Sequence, residues 1–166
     1  MRTAKQAGFS DRQIGLCTGQ REEQIRALRK EQFILPVRKH IDNSGAVCAS
    51  QSTMLYLTYN GKTDDAQPLE KAIIIPGSGP YHIGSSIEYD WCTVRAALSV
   101  RNAGRAAILV NCNPEALSTD PQTADRLYIE EISIERILDI YEAEKPDGCM
   151  LSFAGADTAS LALPLS

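Results

Sequence analysis

Three glycines occupy the stretch in which an apolar run gives way to a sequence of helical character, AIIIPGSGPYHIGSSIEYDWC at residues 72–92. They are Gly77, Gly79 and Gly84. Where a strand passes into a helix through such a turn, the backbone N–H groups at the helix start can bind an anion. Alternatively, glycine is needed only for a tight turn and for close packing of the helix on the sheet. The stretch therefore predicts either a phosphate-binding loop or a purely structural corner.

The nucleotide interpretation fails two tests. The dinucleotide-binding fingerprint G-x-G-x-x-G places its third glycine two residues earlier than Gly84, and it requires an acidic residue near the end of the following strand. That region holds Asn111 and Asn113 instead. No Gly-Lys-Ser/Thr follows the glycines, so the stretch is not a P-loop either. We expect no cofactor to bind this chain.

Asn111 and Asn113 are themselves candidates for a ligand-facing loop. They bracket the carboxyl end of a predicted strand, and open parallel sheets bind their ligands at that edge. Short polar side chains at such positions also cap loops by hydrogen-bonding to neighbouring backbone groups. The sequence leaves both interpretations open.

The other chemically reactive residue types form no catalytic or metal-binding pattern. Five cysteines are scattered without a C-x-x-C pair, which is typical of small core residues in a reduced compartment. Ser78 lacks a G-x-S-x-G context, and neither His40 nor His82 has a Cys or Asp partner at catalytic spacing. We therefore expect no catalytic residue and no metal site in this chain.

The composition is that of a chain with a buried core. Of its 166 residues 43% are hydrophobic, and the net charge is −4 with an isoelectric point near 5.2. An acidic balance gives no reason to expect nucleic acid or an anionic membrane as a partner. The longest apolar runs are too short to cross a membrane, and residues 1–13 lack the hydrophobic segment of a secretory signal.

The first third of the sequence predicts a small helical segment. Ser10 followed by Gln13 is typical of a capping box, which here would open a helix that ends near Gly19. A second helix is expected over residues 21–32 because apolar residues recur at helical spacing. Its inner side is expected to carry Ile25, Leu28 and Phe33.

The region behind these helices contains the predicted domain boundary. Residues 37–51 are irregular in pattern, whereas residues 54–60 are rich in residues that favour strands. Residues 61–70 are polar and are the predicted linker. Residues 1–60 would then form the helical segment, and residues 71–166 a second domain.

Strand and helix signals alternate through this second domain. Short apolar or extended runs predict strands at residues 72–75, 106–110, 126–129 and 149–153. Helical periodicity and capping residues predict helices at residues 87–102 and 133–144. The alternation predicts an α/β fold with a Rossmann-like parallel sheet covered by helices on both faces.

A helix-turn-helix is an alternative for FSDRQIGLCTGQREEQIRALRK, because a short helix, a glycine turn and a second helix follow one another. The helix that would enter the DNA groove carries Glu22, Glu23 and Glu31, whereas phosphate contacts require a basic face. A DNA-binding module is therefore the weaker hypothesis. A free-standing nucleotide-binding domain is the other alternative.

Several long motifs resemble one known family. GSGPYHIGSSIEYDWC, LVNCNPEALSTD and DRLYIEEISIERILDIYEAEKPDG, in this order and spacing, resemble the large subunit of carbamoyl-phosphate synthetase. The match is to the Rossmann-like pre-ATP-grasp domain of its C-terminal synthetase half. GFSDRQI, IRALRK and TMLYLTYNG resemble the end of that family's helical oligomerisation domain, so the resemblance covers nearly the whole chain.

The resemblance implies an activity in which this chain would take part without catalysis of its own. The family makes carbamoyl phosphate from bicarbonate, ammonia or glutamine nitrogen, and two ATP, with Mg²⁺. Its phosphate-binding and metal-binding residues belong to the ATP-grasp domains. The implied partners are those domains, other parts of the large subunit, and a glutaminase subunit or domain. The implied location is the cytoplasm or the mitochondrial matrix.

In this family the glycine turn helps to build the wall of a tunnel that carries carbamate between sites. By resemblance, Ser86, Glu88 and Glu115 match tunnel-lining positions. Carbamate is lost quickly in bulk water, so a shielded path with a few polar groups would preserve it. Glu88 is expected in the first turn of its helix, where the helix dipole favours a carboxylate.

One departure from the family pattern follows the last predicted strand. AGAD at residues 154–157 stands where the family usually has Gly-Gly-Gln. The change removes one conformationally permissive residue and one amide that both donates and accepts hydrogen bonds. We expect it to affect the tunnel more than the fold.

Overall fold

In the computed structural model the chain divides into two units, each of which combines two separate stretches of sequence. The first unit comprises residues 1–39 and 57–65, and the second comprises residues 40–56 and 66–166. The linker predicted at residues 61–70 stays a prediction. The residues that the structure describes are 1–42, 52–83 and 87–165.

Three short helices open the chain, α1 (Arg2–Gln6), α2 (Asp11–Thr18) and α3 (Glu22–Glu31). The capping box predicted for α2 is confirmed, since the Ser10 hydroxyl accepts from the Gln13 N–H at 3.1 Å and the Gln13 side chain accepts from the Ser10 N–H at 2.8 Å. The sequence does not predict α1, because five polar or small residues are too few to show a helical period.

A buried charge cluster holds the first unit together. Asp11 pairs with Arg29 at 2.6 Å and with Lys5 at 2.9 Å, and the three side chains are at most 1% exposed. Lys5 and Arg29 also lie 5.0 and 5.9 Å from the centre of the Tyr59 ring. Ile25 is buried as predicted, but the inner face of α3 also carries a charge at Arg29.

The placement of Phe33 on the inner side of α3 is wrong. Its side chain is 83% exposed and its φ is +54°. The Ile34 N–H donates to the Arg29 carbonyl at 2.8 Å, and the Phe33 N–H donates to the Lys30 carbonyl at 3.0 Å. These two bonds close a Schellman helix end, whose left-handed residue is usually glycine. The left-handed backbone turns the Phe33 side chain away from the helix face.

Six strands form one sheet in the order β1-β2-β5-β4-β3-β6. Strands β2 to β6 are joined by parallel pairings, which confirms the predicted α/β class with a Rossmann-like parallel sheet. The strands are β1 (Val37–His40), β2 (Met54–Thr58), β3 (Ala72–Pro76), β4 (Ala106–Asn111), β5 (Arg126–Ile129) and β6 (Gly148–Cys149).

Two of these strands differ from the sequence prediction. β1 lies where an irregular chain was expected, because its sequence VRKH lacks the apolar alternation of a strand. β6 has two residues instead of the predicted residues 149–153, although the Met150 N–H still donates to the Ile74 carbonyl at 2.8 Å. The chain leaves the sheet immediately afterwards.

Helices cover both faces of the sheet in the second unit. On one face, Ile75, Leu109 and Leu127 pack against Ala97 and Val100 of α4 (Ile87–Asn102). Side chains alternate along a strand, so Tyr128 lies on the other face. There its hydroxyl donates to Glu144 in α5 (Ile134–Glu144), which places α5 on that face.

The remaining elements follow the sheet or connect its strands. A 3₁₀ turn at Leu117–Thr119 joins β4 to β5, and the chain ends in α6 (Ala156–Ser160) and α7 (Ala162–Leu165). Among the described residues, no helix combines the length and the apolar character that a membrane crossing requires.

Candidate functional site at the carboxyl edge of the sheet

The glycine turn begins where β3 ends at Pro76, and two of its amides are used within the protein. The Gly77 N–H donates to the Val110 carbonyl at 2.7 Å, and the Gly79 N–H donates to Asn111 Oδ1 at 3.1 Å. An anion site at a strand-to-helix turn is built from backbone N–H groups that point at the ligand. These two amides point at protein acceptors instead.

Glycine is required at position 77 because the backbone approaches a side chain closely. A Cβ atom there would lie 2.7 Å from Cγ and 2.8 Å from Nδ2 of Asn111. Gly79 is constrained differently, since its φ is +70° and the nearest atoms to a Cβ would be 4.0 Å away. The turn thus needs one glycine for space and one for backbone angle.

Asn111 joins three segments of this edge. Its side chain is completely buried. Oδ1 accepts from the Gly79 N–H at 3.1 Å and from the Cys112 N–H at 2.9 Å, and Nδ2 donates to Ser118 Oγ at 3.1 Å. The carboxamide therefore binds the glycine turn, the start of the loop after β4, and the 3₁₀ turn at its end.

Asn113 stabilises the same loop locally. Its Oδ1 accepts from the Glu115 N–H at 3.0 Å, and its backbone carbonyl accepts from Thr119 Oγ1 at 3.1 Å. The first contact is the side-chain cap of an Asx turn. The Glu115 carboxylate itself is exposed.

Asp90 anchors this loop to α4. It lies in the first turn of the helix and is 1% exposed. Its Oδ2 accepts from the Leu117 N–H at 2.6 Å and its Oδ1 accepts from the Ser118 N–H at 3.2 Å. An acidic side chain often caps its own helix, but Asp90 caps the 3₁₀ turn of another segment. The exposed Glu88 lies in the same first turn of α4, as the sequence predicts.

The segment after β6 closes onto the same edge. Thr158 Oγ1 donates to the Gly77 carbonyl at 2.9 Å, in a buried position. Gly155, the glycine retained in AGAD, has a φ of +94°, and a Cβ there would lie 3.4 Å from the Tyr89 ring. The chain from Gly155 to Thr158 therefore packs on the glycine turn and on the start of α4.

Ser78 and Cys112 also lie at this edge, and the described residues activate neither of them. The Ser78 hydroxyl is buried and has no hydrogen-bond partner among the described residues, so no base contacts it there. Burial raises the pKa of the Cys112 thiol, and the Glu131 carboxylate adds to this effect. A protonated thiol is a poor nucleophile.

Gly84 and Ser86 lie outside the described residues. Within the residues that the structure does describe, no three His, Cys, Asp or Glu side chains converge in a way that could hold a metal ion. The sequence did not predict the hydrogen bonds that Asp90, Ser118 and Thr158 make at this edge. Their partners lie on other segments of the chain, such as Leu117, 27 residues from Asp90, and Gly77, 81 residues from Thr158.

A known family matches this part of the chain. The model of the carbamoyl phosphate synthase preATP-grasp domain matches residues 69–166. The chain belongs to this family. The resemblance found in the sequence is thereby confirmed, and the match begins just before β3, the strand that leads into the glycine turn of this preATP-grasp domain.

Curated relatives extend the similarity to the whole chain. It is 48% identical over 165 residues to the mitochondrial carbamoyl-phosphate synthase (ammonia) of Rattus norvegicus. These residues make up 99% of this chain and 11% of the rat protein. It is 46% identical to multifunctional protein pyr1-3 of Dictyostelium discoideum, over 100% of this chain and 8% of that protein. It is 44% identical to the carbamoyl phosphate synthase arginine-specific large chain of Eremothecium gossypii, over 99% of this chain and 15% of that one. The chain therefore spans a small fraction of the length of these relatives.

Proposed function

We propose that this chain is a structural part of a carbamoyl-phosphate synthase. Its glycine turn forms part of a tunnel wall and is not a nucleotide site. The observation that supports this most strongly is the use of the Gly77 and Gly79 amides by Val110 and Asn111. Donors that are engaged by buried protein acceptors are not available to a phosphate group. These hydrogen bonds fix the backbone of the turn, as a structural role requires.

The proposed wall encloses a path for carbamate. Glu88 and Glu115, together with Ser86 outside the described residues, supply polar groups at its surface. Glu88 follows the glycine turn at the start of α4, and Glu115 lies on the loop that Asp90 anchors to that helix. A path that is closed to water protects an intermediate that bulk water would destroy.

Bond formation is assigned to other polypeptide in this proposal. ATP and Mg²⁺ would bind ATP-grasp domains, and this chain would hold neither. The partners are those domains, further parts of the large chain, and a glutaminase subunit or domain. The outer side of α4 offers them a contact surface, since Ile87 is 69% and Trp91 59% exposed and the Arg95 guanidinium lies 5.8 Å from the Trp91 ring centre. Exposed aromatic and Arg side chains are common in protein interfaces.

The location follows from the same proposal. The rat relative is named as mitochondrial. We place this chain in the mitochondrial matrix or the cytoplasm, without contact to nucleic acid or membrane.

A chimera tests the proposal. The 165 matched residues of the rat protein would be replaced by this chain, and carbamoyl phosphate formation would be measured with bicarbonate, ammonia and MgATP. We expect the chimera to form carbamoyl phosphate, whereas the rat protein with the same stretch deleted forms none. A folded chimera that hydrolyses ATP without forming carbamoyl phosphate would contradict the proposal, and so would bicarbonate-dependent ATP hydrolysis by this chain in isolation.

A further inference from the structure

A continuous series of buried hydrogen bonds runs from the glycine turn to α4. The Gly79 N–H donates to Asn111 Oδ1, and Asn111 Nδ2 donates to Ser118 Oγ. The Ser118 N–H then donates to Asp90 Oδ1 at 3.2 Å. The side chains of Asn111, Ser118 and Asp90 are all at most 1% exposed. Water therefore cannot easily replace any of these bonds.

Within this series, Asn111 makes the hydrogen bond that joins the residues farthest apart in sequence. Gly79 precedes it by 32 residues and Ser118 follows it by seven. A local loop cap would bond only to neighbours, as Asn113 does with Glu115. The Asn111 carboxamide instead fixes one segment relative to another.

We infer that Asn111 is a positioning residue, which sets where the glycine turn stands relative to the loop that carries Glu115. Asp90 extends this arrangement to the first turn of α4, which carries Glu88. The inference rests on the proposed function in one respect, namely that these segments enclose the carbamate path. The geometric part stands on the hydrogen bonds alone.

The close approach at Gly77 supports the same role. A Cβ at Gly77 would overlap Asn111, so the turn is packed directly on the carboxamide as well as bonded to it. Removal of the side chain would leave the Gly79 and Cys112 N–H groups without their acceptor and would also open space under the turn. Both effects release the turn from the loop.

Amide hydrogen exchange measured by NMR on this chain tests the geometric part. In Asn111→Ala, the Gly79 and Cys112 amides should exchange about 5- to 10-fold faster, since one buried hydrogen bond is lost at each. The matched control is Asp120→Ala, which removes an exposed local cap of the Gln122 N–H and should leave Gly79 unchanged. The amides of the β3 and β4 core, such as those of Ile75 and Leu109, serve as the reference for global opening.

Two results would overturn the inference. One is unchanged exchange at Gly79 in Asn111→Ala, and the other is faster exchange at Gly79 only in proportion to the core amides. Should Asn111→Ala fail to fold, Ser118→Ala takes its place, because it removes one of the three partners and leaves the carboxamide intact. Gly79 should then exchange faster than in the unsubstituted chain, and equal exchange would contradict the inference.

The functional part is tested in the chimera with the rat protein. A turn displaced from its loop should let carbamate escape, so Asn111→Ala should lower the carbamoyl phosphate formed per ATP consumed while ATP hydrolysis continues. Asp120→Ala should leave this ratio unchanged, whereas an unchanged ratio in Asn111→Ala would remove the link to the path. If the unsubstituted chimera forms no carbamoyl phosphate, the proposed function fails, and the exchange experiment still decides the role of Asn111.

Discussion

Glycines of this chain are constrained either by space or by backbone angle, and substitutions can separate the two constraints. Gly77 has no room for a Cβ because Asn111 would lie 2.7 Å from it. Gly104, at the end of α4, has a φ of +73° but nothing within 4 Å of a Cβ. The first position tests packing and the second tests strain.

Gly77→Ala should lower the free energy of unfolding by about 1–3 kcal/mol, the range typical of an overpacked interior. Gly104→Ala is the control and should cost about 1 kcal/mol, since only the left-handed backbone opposes it. Urea unfolding followed by circular dichroism measures both. The explanation from close approach is wrong if Gly77→Ala costs less than Gly104→Ala.

Phe33 offers a stabilising substitution. Its left-handed backbone is unfavourable for a residue with a Cβ, and its side chain is 83% exposed, so little packing would be lost. Phe33→Gly should raise the free energy of unfolding by about 0.5–1 kcal/mol. Phe9→Gly, at a half-exposed position without a positive φ, should bring no gain. Equal effects of the two substitutions in urea unfolding would show that Phe33 is not strained.

Cysteine reactivity should follow burial. Burial raises the pKa of the Cys149 thiol to about 11, whereas Cys17 is exposed. The raised pKa keeps Cys149 protonated at pH 8, and its thiolate forms only as the pH approaches 11. Iodoacetamide at pH 8 should therefore modify Cys17 well before Cys149, with the order read by peptide mass spectrometry. Modification of both residues at the same rate would contradict this account.

At the scale of elements, Glu144 connects α5 to β5 and to the chain before β3. This buried carboxylate accepts from Arg126 Nη1 at 2.6 Å, from the Leu69 N–H at 3.2 Å and from the Tyr128 hydroxyl. Arg126 Nη1 also donates to the Gln67 carbonyl at 2.9 Å. A carboxylate at a helix C-terminus opposes the helix dipole, so these donors must offset an unfavourable position.

Glu144→Ala should lower the free energy of unfolding by about 3–5 kcal/mol, because Arg126 loses its buried partner. The control is Glu70→Ala, at an exposed position, which should change stability by no more than about 0.5 kcal/mol. Urea unfolding again provides the measurement. Similar losses for the two substitutions would show that the buried cluster contributes little.

The sequence predicted the elements with a strong period and missed those without one. Helix α4 was predicted with its observed limits, and the apolar strands β3 and β4 to within one residue, because burial on the sheet imposes a clear pattern. The polar strand β1 and the five-residue helix α1 carry no such pattern. Local turn chemistry was also readable, as the Ser10–Gln13 capping box shows.

The candidate site was predictable in its position but not in its connections. Glycines after one strand and asparagines after the next pointed to the carboxyl edge. The bond between Gly79 and Asn111 spans 32 residues, and the two bonds between the 3₁₀ turn and Asp90 span 27 and 28 residues. Contacts of this kind are fixed by tertiary packing, which a single sequence does not specify.

At the scale of the whole molecule, the chain is a member of the carbamoyl phosphate synthase preATP-grasp family that spans 8–15% of the length of the relatives described above. At the carboxyl edge of its sheet, the Gly77 and Gly79 amides donate to protein acceptors and do not form a phosphate cradle. We propose that this edge has a structural role and that bond formation takes place on other polypeptide.

An NMR titration of the purified chain with MgATP tests this central claim most directly, with the amide signals of Gly77 and Gly79 as the readout. Because both donors are already bonded to buried acceptors, the account predicts no saturable shift of either signal at millimolar nucleotide. Saturable binding in the micromolar range, with its largest shifts at these two amides, would contradict the account and identify the turn as a nucleotide site.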